Sequence, residues 1–158
     1  MLAFNAHVYD TLKLVHILAA VVWVGAGLYF QFQGTKLRRR GEPERMAAFA
    51  DQVAGATALM VGASITVLLA GVALVLYAPG IDFADAWIWL GLAGYAATFV
   101  TGMWFIRPRA ERLARLIPAE GPTSPAAQAA IAQIFAISRI DQVVLVAVIA
   151  LMVFKPGA

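Results

Sequence analysis

The sequence predicts an all-α polytopic membrane protein, a four-transmembrane-helix up-down bundle with both termini outside. Three observations lead there. Of the 158 residues, 62% are hydrophobic and only 13% are charged, about half the charged share of an ordinary soluble domain. The apolar residues gather into four runs of membrane-spanning length, and most basic residues lie between those runs. With a mean hydropathy of +0.80, the chain cannot clothe itself in polar surface, so lipid is its main solvent.

A hydrocarbon core of about 30 Å takes roughly 20 helical residues at about 1.5 Å each. The first span is 14–32, "LVHILAAVVWVGAGLYFQF". It follows a start with no basic n-region and is too long for a signal-peptide core, so it is expected to remain as a span. The second is 54–78 and the third 86–106. The fourth lies within 131–154. Its uninterrupted part, 143–154, is too short to cross alone, so the helix must extend back through Asp141 and Arg139. Residues 1–158 form a single membrane domain on this reading.

Orientation follows from the connections. The first holds Lys36, Arg38, Arg39, Arg40 and Arg45, and the third holds Arg107, Arg109, Arg112 and Arg115. The second, "PGIDFAD", has no base and two acids. The positive-inside rule places the basic loops in the cytoplasm. A net charge of +3 could suggest nucleic acid, but the bases sit in short blocks between apolar runs, and no nucleic-acid partner is expected. Tyr77, Trp87 and Trp89 mark an aromatic belt at the outer interface. Pro43 suits a first helical position, and Ser124 followed by Pro125 suits a helix cap.

With no cysteine, disulfides, thiolate metal sites and cysteine nucleophiles are excluded together. No phosphate loop, carboxylate cluster or catalytic motif of soluble enzymes occurs, so no catalytic residue and no bare metal site is assigned. Histidine inside a span is expensive and raises a functional hypothesis. At about 100° per residue, His16, Trp23 and Gly27 share a face of the first helix, with Tyr9 further outward. A glycine near an imidazole leaves room for a flat cofactor or for a close helix. The other reading of His16 is a hydrogen bond to a neighbouring helix. His7 and His16 point to opposite sides of a continuous helix, so a haem held by His16 needs another ligand, such as Met60 or Met103, or an open position.

Arg139 lies one turn inside the fourth span and can snorkel to the surface. Asp141 lies about 9 Å deep and cannot. It shares a face with Ser138 and Leu145, and a carboxyl there should carry a proton or meet a donor such as Gln142, Tyr95 or Gln31. Asp141, Tyr95 and Ser138 are therefore candidates for handling protons or ions. An axial gap of about 15 Å argues against a direct His16–Asp141 dyad. Thr57, Ser64 and Gly71 in the second helix, and Gly91, Tyr95, Thr98 and Gly102 in the third, read as close packing through small residues.

"LKLVHILAAVVWVGAG", with "RID" near the fourth span, resembles small bacterial four-helix membrane proteins. The chain is similar to a family of predicted integral membrane proteins of unknown function, and distantly similar to HemJ-type protoporphyrinogen oxidases and CopD-type copper-resistance proteins. The HemJ resemblance implies haem b on His16, in a bacterial inner (plasma) membrane. The CopD resemblance implies copper movement, but this chain has no second intramembrane histidine and no Met-rich or His-rich outer loop. The expected function is a haem-binding or quinone-linked redox membrane protein, with His16, Trp23, Gly27 and Met60 around the cofactor. The alternatives are a transport or channel-like subunit that uses Asp141 for proton or ion coupling, and a structural subunit of a larger complex. The expected partners are the lipid bilayer and a homo-oligomer or larger membrane complex.

Overall fold

The computed structural model describes residues 5–81 and 83–156. The chain forms α1 (Ala6–Arg40), α2 (Pro43–Tyr77), α3 (Ala86–Val100), a π-helical turn (Thr101–Ile106), α4 (Arg107–Glu120) and α5 (Pro125–Phe154). The segment from α3 through the π turn to α4 is one continuous rod, so the chain folds as four rods. All four are long and apolar enough to cross a membrane, and no strand occurs among the described residues. The start of α1 and the end of α5 share one end of the bundle, and the basic connections take the other.

The rods are longer than the apolar runs. "QGTKLRRR" is the last part of α1, and the first connection shrinks to Gly41 and Glu42. Gly41 has φ +64, and its N–H and that of Glu42 reach Arg38 O and Leu37 O. This is a left-handed C-cap that only glycine adopts without a Cβ penalty. Pro43 then opens α2 with a φ already suited to helix. At the start of α5, Ser124 Oγ accepts from Ala127 N at 3.2 Å and Pro125 takes the first helical position. At the terminal end, Asn5 Oδ1 accepts from His7 N at 3.0 Å, and Asn5 N donates to Tyr77 Oη at 2.7 Å. That pair ties the start of α1 to the end of α2.

The π turn has a cause in the sequence. Pro108 lacks an N–H, and its ring collides with the carbonyl four residues earlier in a regular helix. Widening the turn before it relieves that crowding, and Arg107 N reaches back five residues to Gly102 O. Beside this turn, Arg109 Nη1 donates to Phe105 O at 2.8 Å.

α1 packs most extensively on α2 and α3 on α5, while α5 also meets α1 and α4. Glycines set the antiparallel register at several of these seams. Gly27 faces Gln142, Gly34 faces Phe135, Gly91 faces Met152 and Gly94 faces Val148. Lys155 Nζ lies 5.3 Å from the Trp87 ring centroid. About 20 residues further along each rod, Gly34, Arg107 and Phe135 come level, a distance of about 30 Å that matches a hydrocarbon core. The interior cluster of Met46, Phe49, Leu113, Ala127, Ala130, Ile131 and Phe135 lies at and beyond that second level, at the basic end. With the basic end in water, as its arginines imply, apolar burial there is favourable. Within the span, outward side chains such as Val143 and Val153 stay exposed for lipid. Of the two tryptophans at the start of α3, Trp89 faces outward, its Nε1 donating to Phe83 O at 2.7 Å, whereas Trp87 is buried.

Candidate functional site

His16 occupies the inner stripe of α1. Its Nδ1 lies 2.9 Å from the carbonyl oxygen of Val67 on α2. A carbonyl only accepts, so Nδ1 carries a proton, and in the neutral form of the ring the lone pair is then on Nε2. The contact depends on Gly71, where an added Cβ would stand 3.1 Å from His16 Cε1 and 3.3 Å from Nδ1. The space left by this glycine is taken by the imidazole itself. The heptad of Thr57, Ser64 and Gly71 thus ends in a histidine seat, while Ser64 is buried and donates to Val61 O at 2.9 Å.

The other members of the α1 stripe meet different helices. Trp23 packs edge-on against Tyr95 of α3, with ring centroids 5.5 Å apart, and Tyr95 stacks on Phe99 at 6.1 Å. Gly27 is covered by the amide of Gln142 from α5. One turn on, Gln31 Nε2 donates to Phe135 O at 3.4 Å. The Oε1 atoms of Gln31 and Gln142 are both buried without a hydrogen-bond partner among the described residues. Met60 lies seven residues, about 10 Å of helix rise, toward the basic end from Val67. Trp23 and Gly27 therefore meet other helices than the His16 ring does, and Met60 sits at another level of the bundle.

Asp141 faces a groove between α3 and α5. The half-open groove has a volume of about 210 Å³ and is lined by Ala97, Thr98, Thr101 and Phe105 on one side and by Ile137, Ile140, Asp141 and Val144 on the other. Thr101 and Phe105 belong to the π turn. Asp141 Oδ1 is buried with no hydrogen-bond partner among the described residues. Thr98 is buried and spends its hydroxyl proton on Tyr95 O at 2.8 Å. Ser138 is half-buried one turn away on the same helix, and Arg139 is exposed.

The expected donors to Asp141 are placed elsewhere. Gln142 points to Gly27, Gln31 reaches the Phe135 carbonyl, and Tyr95 lies about six residues further toward the terminal end, against Trp23. The registers of Gly27 with Gln142 and of His16 with Gly71 put His16 and Asp141 about 17 Å apart along the bundle. Of the two threonines that line this groove, Thr98 was picked out by helical spacing as a packing residue, whereas Thr101 was not, because it stands in the π turn. The cue in the sequence was Pro108, four residues after Trp104. Among the described residues, no group of three or more His, Cys, Asp or Glu gathers.

Four apolar rods with polar side chains seated in their seams define an integral membrane protein. The chain belongs to the family described as predicted integral membrane protein (DUF2269), whose model matches residues 10–156. No curated protein and no solved structure matches it.

Proposed function

We propose that this protein is a haem-binding redox protein of the bacterial inner membrane, in which His16 would hold the group through Nε2, with the basic end in the cytoplasm. The observation that carries this reading is the His16 Nδ1–H···O=C bond to Val67. Histidines that bind metals are commonly fixed in this way, with the second ring nitrogen donating to a carbonyl so that tautomer and ring plane are set before the metal arrives. His16, held by α1 and oriented by the Val67 carbonyl of α2, is the one residue of the expected set left to hold the group. Haem bound there would supply one-electron chemistry, with its potential tuned by the apolar surroundings and the Val67 bond. The resemblance of helix 1 to HemJ-type proteins supports the same reading.

The test is the absorption spectrum of the detergent-purified protein from haem-sufficient cells, oxidised and then reduced with dithionite. A Soret band with α and β bands on reduction is expected, and His16→Ala should remove it while the protein still reaches the membrane. A colourless wild-type protein, or full haem content in His16→Ala, would overturn the assignment.

A further inference from the structure

The groove at Asp141 holds three features that helix packing alone does not require. A carboxyl group lines it, with Oδ1 buried and unpartnered. That is an expensive arrangement at membrane depth, where a missing hydrogen bond is not replaced by water. The remaining lining is apolar except for Thr98 and Thr101. The half-open groove's volume of about 210 Å³ exceeds the roughly 150 Å³ that accommodates a benzene ring in a closed cavity. The groove also opens sideways, since Ile140 and Phe105, both on its lining, are exposed on the outer surface of the bundle.

We propose that this groove binds the ring of a lipid-soluble phenol, hydroquinones among them, with the ring hydroxyl donating to the Asp141 carboxyl and the ring lying among Phe105, Ile137 and Val144. The depth selects this class. Asp141 lies about 9 Å inside the level of Phe135, below the reach of lipid ammonium groups, and a bare cation would have to leave water to arrive. A neutral donor on a flat apolar body reaches the site directly from the bilayer. Apolar pockets with one or two convergent polar groups are the usual form of small-molecule sites. The π turn that Pro108 imposes supplies two of the lining residues, Thr101 and Phe105, and such turns are frequent at functional sites. The proposal is independent of haem at His16, about 17 Å away along the bundle.

The experiment uses the full chain in lipid nanodiscs with radiolabelled 4-octylphenol as the probe, and unlabelled 4-octylphenol or 4-octylanisole as competitors. The anisole has the same ring and tail but no O–H. Saturable binding of about one probe per chain is expected, with the anisole competing on the order of tenfold more weakly or worse, because it leaves the carboxyl unpaired. Ala97→Phe, which fills the groove from α3, should abolish saturable binding, and Val153→Ala on the lipid face should leave it intact. Equal competition by phenol and anisole, or binding unaffected by Ala97→Phe, would overturn the proposal. So would simple partition without saturation, the result expected if Asp141 serves only a proton or an ion. Should Ala97→Phe fail to fold, the phenol–anisole comparison on the wild-type protein still decides.

Discussion

Two glycines show how narrowly single residues are specified. A methyl group at Gly71 would crowd His16 Cε1 at 3.1 Å, so the ring must move if the side chain grows. Gly71→Leu is expected to break the Val67 bond and lower haem content several-fold without loss of the helix, measured as Soret absorbance per protein. At Gly34 an added Cβ would run into the Phe135 ring and stand 3.0 Å from Phe49 Cε1. Gly34→Ala should therefore destabilise the bundle by about 1–3 kcal/mol. At Gly62 an added Cβ would meet nothing within 4 Å, so alanine there should change stability by less than about 1 kcal/mol. A titration of helicity with SDS would rank the two, and equal stability would count against the close contact at Gly34. The face shared by His16, Trp23 and Gly27 was legible from 100° spacing alone. Which helix each residue meets was not, because a stripe wide enough to touch three neighbours looks the same in sequence as one that touches a single neighbour.

At the scale of the element, caps were readable because their chemistry is local. Ser124 accepts from Ala127 N and Pro125 follows it, as the order of the residues implies. Ser124→Ala should cost about 1 kcal/mol, with Ser124→Asp close to wild type. If the alanine variant unfolds at the same SDS fraction as wild type, the cap contributes nothing to the bundle. The length of the elements was less readable. The arginine-rich end of α1 looks like a loop when polarity is taken as the signal, yet Lys and Arg are good helix formers and basic residues suit a helix C-terminus. The π turn was the least visible element. Proline warns of a break, but whether a helix bends, ends or widens there depends on what packs against it.

For the whole molecule, the separation between lipid-facing rods and a water-surrounded interior cluster has a measurable consequence. Ile131 is 2% exposed and lies in the basic-end cluster, so Ile131→Ala should destabilise by about 2–5 kcal/mol. Val153, at 70% exposed, faces solvent lipid in the folded and the unfolded membrane state alike, so Val153→Ala should change stability little. Similar losses at both positions would mean that the basic-end cluster is not where folding energy is concentrated. Orientation is tested by labelling in intact cells. With the basic end in the cytoplasm, a membrane-impermeant maleimide should modify Pro79→Cys and spare Glu120→Cys, and the opposite pattern would invert the topology.

Composition and periodicity were enough to establish four apolar helices, a membrane architecture and the two polar residues that need an explanation, His16 and Asp141. These follow from what lipid demands of any chain: backbone hydrogen bonds satisfied within each span, and polar side chains kept few. The assembled fold added the partners. It set His16 on the Val67 carbonyl beside Gly71, turned Gln142 onto Gly27 and away from Asp141, and left that carboxyl facing the threonines of α3 and its π turn. Those outcomes depend on rotations and offsets of a few ångströms between neighbouring rods. Many registers of four apolar helices bury comparable surface, and close packing of glycines and side chains at each seam selects one of them.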